Sequence, residues 1–298
     1  MLYKEKLTEW LKTQKIYLKY STYTNYYNII MNHIYPKLGD YDVSMIDNDI
    51  LQQFILERLD NGRADNKDGI SHKYAKDIIT LLKLTLDDRN IKIQLPYHQP
   101  KDIEISIKED QVKLMNHLQS HITHKNFGIL LCMHTGIRIG ELCALKWGDI
   151  NFVTQMLRID KTMIRTYTKE DGSKLLITSP KTRSSNRNIP LNSWIMQYAN
   201  LLRGDDDHYI LTNSSKYTEP NKYRLYYNRT IKNLGLPHLT FHSLRHTFAT
   251  RCIECGCDYK SLSELLGHSN VSITMNIYVH PQMELKRKCV ELLVDYYR

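Results

Sequence analysis

A mainly α-helical chain with a small antiparallel β-sheet, arranged as a helical N-terminal domain followed by an α+β domain, is the fold the sequence predicts. Three observations lead there. Roughly the first ninety residues hold four segments whose apolar residues recur at helical spacing. Pro96 and Pro100 then bracket a polar stretch and disfavour helix around it. Between about 150 and 190, short apolar runs separated by turn signals interrupt the helical pattern before it resumes. The division expected is a helical domain at 1–95, a linker at 96–106 and a second domain at 107–298.

Taken in order, Leu2, Leu7, Trp10, Leu11, Ile16 and Leu18 form the first helical stripe. Ser21-Thr22 offers an N-cap for a second helix with Tyr26, Ile29, Ile30 and Ile34, and Pro36 and Gly39 are expected to break it. Asp47 caps a third, with Ile50, Phe54, Ile55 and Leu59, and Asn61-Gly62 turns the chain. The fourth runs from about Ser71 to Arg89 on Tyr74, Ile78, Leu81, Leu82 and Leu86. Past the linker, helices are expected at 108–119 and 123–135, and another from Ile139 after Gly136. Phe152, Leu157 to Ile159, Leu175 to Ile177 and Asn188 to Pro190 read as strands, with Asp171-Gly172 as a hairpin turn and 180–185 as a polar loop. Helices resume at 192–203 and 220–233, and 282–298 form an amphipathic tail on Leu285, Leu292 and Leu293.

Composition narrows the function. Lys and Arg number 41 against 32 Asp and Glu, a formal charge of +9 and a pI near 9.1, which favours an anionic partner such as nucleic acid. No apolar run is long enough for a membrane span, and the first residues lack a signal-peptide core, so a cytoplasmic protein with six reduced cysteines is expected. Cys252, Cys255 and Cys257 have no second pair at ligand spacing, so no metal site is expected.

The chemistry concentrates between Thr240 and Tyr278. His242 and Arg245, three apart, share a helix face. Leu262, Leu265 and Leu266 stripe a short helix that Gly267 ends, which sets His268 at a helix terminus. Val271, Ile273 and Ile277 anchor a segment presenting Tyr278 in N-I-Y-V-H-P. Upstream lies G-I-R-I-G-E-L, with Arg138 and Glu141. In this order, R…H-x-x-R…H…Y resembles the signature of the tyrosine recombinases, the integrase family of phages and mobile elements. The resemblance covers the last two thirds of the chain strongly and the first third loosely.

That resemblance implies a core-binding domain ahead of a catalytic domain acting on a DNA phosphodiester. Arg138 and Arg245 would hold the scissile phosphate, a task suited to permanently charged, bidentate guanidinium groups. Tyr278 would be the nucleophile; its phenol, with an ordinary pKa near 10, needs the positive surroundings that two arginines and His242 supply. His268 would donate to a phosphate oxygen. Lys181 matches the catalytic lysine that protonates the leaving 5′-oxygen, with Lys174 and Arg183 as rivals from the same hairpin. Glu141 matches an acidic residue that supports the site from behind. Lys12, Lys15, Lys19, Lys73 and Lys76, with Arg183, are candidate phosphate contacts.

The family further implies double-stranded DNA as partner, a tetramer on two DNA sites, an exchanged C-terminal tail, accessory DNA-bending or directionality factors, and no cofactor. Integration or excision of a mobile element is the activity expected; a Xer-like resolvase or DNA invertase is the alternative, and a type IB topoisomerase a more distant one.

Overall fold

A computed structural model of the protein describes residues 1–62, 68–87, 90–99, 105–179 and 185–278, together with Arg287, Val290, Glu291 and Val294; the side chains of 276–278 fall outside the description. Two compact units result. One comprises Met1–Lys101 with Arg165–Leu176, the other Asp102–Ile164 with Ile177–Arg298.

The first unit is built on α1 (Tyr3–Tyr17), α2 (Tyr20–Ile29), α3 (Tyr35–Leu38), α4 (Asn48–Asn61) and α5 (His72–Leu86). Asp47 caps as expected, its Oδ1 accepting from the Ile50 amide at 2.9 Å, and Ser71, where the fourth helix was expected to begin, is its cap, with Oγ accepting from the Tyr74 amide at 3.2 Å. The second helix departs from expectation at both ends. It starts at Tyr20, with Lys19 at the cap, because the Thr22 and Tyr23 amides already bond the Lys19 carbonyl. Nor does Pro36 break it. The chain widens into a π-helical stretch at Ile30–Ile34, and Pro36 falls in the first turn of α3, where its missing N–H costs little. α5 stops at Leu86 because Asp87 takes the left-handed φ of 56°. Tyr3, Leu7, Ile29, Ile30, Ile34, Leu51, Ile55, Ile78, Leu81 and Leu82 fill the core.

A β-hairpin tip, Arg165–Leu176, belongs to this unit although it lies far along the chain. Tyr20 Oη donates to Asp171 at 2.9 Å, Asn28 Nδ2 donates to the Tyr167 carbonyl at 2.9 Å, and Lys15 pairs with Glu170 at 3.7 Å. Such long-range pairing leaves no local sequence pattern.

The second unit contains α6 (Lys108–Ser120), α7 (His124–Thr135), α8 (Ile139–Ala144), β1 (Ile150–Asn151), β2 (Met156–Ile159), the base of the hairpin β3 (Thr162–Thr168) and β4 (Gly172–Thr178), β5 (Arg187–Pro190), α9 (Ser193–Leu202), α10 (Pro220–Asn233), α11 (Phe241–Glu254), α12 (Tyr259–Leu266) and α13 (Val271–Tyr278). β1, β2 and β5 form an antiparallel sheet in that order, with Leu157 opposite Ile150 and Ile189. Phe152 is not a strand residue: Asn151 Oδ1 accepts from the Val153 and Thr154 amides and closes a turn there. β3 alternates buried and open residues, a half-buried strand absent from the sequence reading. α7, apolar on nearly every side, is the central helix, packed by α6, α9 and α11. Residues 282–286 and 180–184 lie outside the described residues, so the tail stripe and polar loop are not located; Arg287, Val290, Glu291 and Val294 are helical. Among the described residues no helix is long and apolar enough to cross a membrane.

Candidate active site

The site is assembled at helix ends. α7 terminates at Gly136, whose φ of +63° is left-handed and whose Cβ, had it one, would stand 2.5 Å from Phe248 and 2.9 Å from Leu266. The turn made there delivers Arg138 to the N-cap position of α8. α12 ends at Leu266 because Gly267 takes φ +67°, and His268 follows directly, as the sequence suggested.

Arg245, on α11, is 3% exposed. Its Nη1 donates to the Gly136 carbonyl at 2.9 Å and its Nη2 to the Leu266 carbonyl at 2.7 Å. One guanidinium thus bonds the C-termini of α7 and α12. A helix C-terminus presents unsatisfied carbonyls at the negative end of the macrodipole, so both bonds offset the cost of burying the charge. Arg138 is more open, with 37% of its side chain exposed.

Glu141 is the hub behind these groups. It is 2% exposed. Its oxygens accept from Arg138 Nη1 at 2.8 Å and the Arg138 amide at 2.9 Å, and from Arg187 Nη2 at 2.9 Å and Nη1 at 3.2 Å. Burial would raise the carboxyl's pKa, but the bonds and charges of Arg187 and Arg138 outweigh it and hold the group below its ordinary value. Glu141 therefore points inward, not out from a helix face.

Sequence reasoning missed Arg187. Only 5% of its side chain is exposed, and it also bonds the Leu265 carbonyl through Nε at 2.6 Å. A signal existed. On a strand, Arg187 shares a face with Ile189, which is buried, and an arginine on a buried face must find partners.

Both histidines lie within the field of these cations. Burial of the ring, then His246, Arg245 and Arg138, lower His242 to about 4, although by surface area the residue is exposed, so its proton is held off less firmly than that of half-buried His268. Burial, then Arg245, Arg138, Arg187 and His246, lower His268 to about 4. Each is a neutral imidazole at pH 7, with one ring nitrogen to donate and one to accept. His268 Nδ1 lies 2.8 Å from Thr274 Oγ1 on α13, and Thr274 is fully buried. When the hydroxyl donates in that bond, the Nε2–H of His268 becomes the donor.

Arg138, Glu141, His242, Arg245 and His268 thus come together in one unit, with Arg187 and His246 added. Tyr278 is the last helical residue of α13, the helix that carries Thr274; its side chain is outside the described residues. Lys181 and Arg183 also lie outside them. Lys174 sits in the other unit, bonded to Asp171 at 2.8 Å and 5.6 Å from the Tyr20 ring centroid. Of the lysines expected to touch phosphate, Lys15 is engaged by Glu170 and Asp171, while Lys12, Lys19, Lys73 and Lys76 are exposed on the helical unit.

A model described as the phage integrase family matches residues 106–284, and one for the phage integrase N-terminal SAM-like domain matches 2–57. A tyrosine recombinase XerC-like protein of Caldanaerobacter subterraneus is 34% identical over 230 residues, 68% of this chain and 58% of the relative. The transposase from transposon Tn916 of Enterococcus faecalis is 31% identical over 219 residues, 67% of this chain and 51% of the relative. The match thus spans little more than half the length of these curated relatives. In fold, the chain is similar to the Tn1549 transposon integrase solved in complex with circular intermediate DNA, with TM-score 0.79 and 22% identity over 98% of this chain and 100% of that one.

Proposed function

From the premise that this chain belongs to the phage integrase family, we propose that it is a site-specific recombinase that cleaves and rejoins DNA through a covalent 3′-phosphotyrosine at Tyr278, in integration or excision of a mobile element. The observation that carries this reading is the arginine cluster: Arg138 and Arg245 are held by Glu141 and two helix C-termini around two neutral imidazoles.

The steps follow from charge. The Tyr278 oxygen attacks phosphorus in line with the 5′-oxygen, and negative charge grows on the non-bridging oxygens. Arg138 and Arg245 donate to those oxygens, and their positive charge favours the phenolate. His242 and the Nε2–H of His268 add neutral donors. The departing 5′-oxygen is strongly basic and takes a proton from Lys181. The phosphotyrosine conserves the bond energy, so a second 5′-hydroxyl reverses the step and joins the strand. Two duplexes must meet for exchange, which calls for a tetramer, with the C-terminal tail passed between subunits and accessory DNA-bending or directionality factors biasing the outcome. The exposed lysines of the helical unit serve phosphate contact. Its boundary with the catalytic domain is assigned to the linker at 96–106.

Similarity to the Tn916 transposase and the Tn1549 integrase favours a mobile element. Similarity to a XerC-like recombinase favours a second reading, resolution of replicon dimers. A duplex nicked next to the scissile phosphate traps the covalent complex of either. Tyr278→Phe should still bind this substrate and form no covalent complex; a cleaved product from that variant would sink the assignment. Element-end DNA as the preferred substrate separates integrase from resolvase.

A further inference from the structure

α11 ends in a turn that brings two thiols together. Gly256 takes φ +88°, the left-handed conformation of the residue after a helix cap. Its amide donates to the Ile253 carbonyl, and the Cys257 amide donates to the Cys252 carbonyl, each at 2.9 Å. These two bonds define a Schellman cap, which commonly sets the side chains three residues before and two after the cap against each other. Here those residues are Cys252 and Cys257. Both are half-buried against Ala249, Ile253, Leu262 and Leu266. The hydrogen bond between their backbones, and the electrostatic effect of Cys257 on Cys252, make the two residues neighbours, the first requirement of a disulfide. Cys255, at the cap itself, is exposed, and all three are free thiols.

We propose that Cys252 and Cys257 form a redox-modifiable pair, which a low-molecular-weight disulfide converts reversibly into an intramolecular bond across the end of α11. Cys257, on the loop, attacks first: its thiolate forms a mixed disulfide and expels one small thiolate. The Cys252 thiolate then attacks Cys257 Sγ and expels the second. Two protein thiols are oxidised, one small disulfide is reduced to two thiols, and the protons pass to those thiols. Burial pushes the Cys252 thiol up to about 12, and burial with Asp258 raises that of Cys257, so exchange is slow at neutral pH and accelerates as pH rises. The bond would fix the link between two functional helices. α11 carries His242 and Arg245, and α12, which starts two residues after Cys257, ends at the carbonyl that holds Arg245.

The test needs no DNA. The full chain is incubated with oxidised glutathione at pH 8.5, its remaining thiols are alkylated, and the tryptic peptide Cys252–Lys260, which contains all three cysteines, is sequenced by mass spectrometry. A single tag, on Cys255, is expected, with a melting temperature raised by a few °C and restored by reductant. Cys255→Ser should still form the bond; Cys257→Ser and Cys252→Ala should not. Three tags on the oxidised peptide, or a protected Cys255, would overturn the proposal.

Discussion

Removing the carboxylate of Glu141 tests the architecture of the site most directly. In Glu141→Ala, Arg187 keeps its bonds to the Leu265 and Ser185 carbonyls but loses its counter-charge, with 5% of its side chain exposed. Removing one partner of a buried ion pair costs about 3–5 kcal/mol, because the other charge stays behind uncompensated. For a cooperative unit of this size each kcal/mol moves the melting temperature by roughly 2–4 °C, so a fall of about 6–20 °C in the transition of the second unit is expected. Arg138 loses the acceptor at 2.8 Å that orients it, so cleavage should fall as well, below the melting range. The assay is a thermal melt of the unmodified chain, Glu141→Ala, Arg187→Met and the double variant. The double variant should be more stable than the sum of the single losses predicts, since removing both charges leaves none unpaired. A melt of Glu141→Ala within about 2 °C of the parent, or a coupling under about 0.5 kcal/mol between the two sites, would refute the shared-hub reasoning.

Three further outcomes are expected. Lys181→Ala should slow cleavage by about 10²–10⁴-fold, and a bridging 5′-sulfur, which leaves without a proton, should restore it; rescue of Lys174→Ala instead would move the acid to that residue. Affinity for the DNA site should fall steeply with salt, and a flat log–log plot would contradict a phosphate-gripping protein. Because His242 and His268 are pulled from an ordinary 6.5 to about 4 in the fold, the unfolded chain takes up protons there that the native chain refuses. Stability should therefore drop as pH falls from about 6.5 to 4, and His268→Gln should flatten that slope in acid melts; an unchanged slope would argue against a half-buried neutral His268.

The helices were legible because each rests on local signals. Asp47 caps where the sequence places a cap, Ser71 and Asn192 cap helices expected to begin at those positions, and Gly136 and Gly267 end helices as expected. Motif order likewise fixed which of Arg138, Glu141, His242, Arg245 and His268 to watch. What escaped depends on distant partners. Pro36 reads as a break unless the π-helical widening before it is known. The hairpin tip, Arg165–Leu176, joins the first unit through Tyr20, Asn28 and Lys15, more than a hundred residues away. Arg187 looks like one more surface cation until Glu141 is seen facing it.

The choice of partners for the arginines bears on the chemistry. In-line attack on a phosphodiester by a phenolate gathers two negative charges at one phosphorus. Two guanidinium groups, Arg138 and Arg187, share one carboxylate, Glu141, while Arg245 bonds backbone carbonyls and His242 and His268 are neutral. Those two guanidinium groups outnumber the single carboxylate they share, an excess of the sign that the proposed transition state calls for. The carbonyls of Gly136 and Leu266 orient Arg245 through dipoles of partial charge. On the proposed chemistry, a site braced in this way is set before DNA arrives, which is the preorganisation that electrostatic catalysis requires.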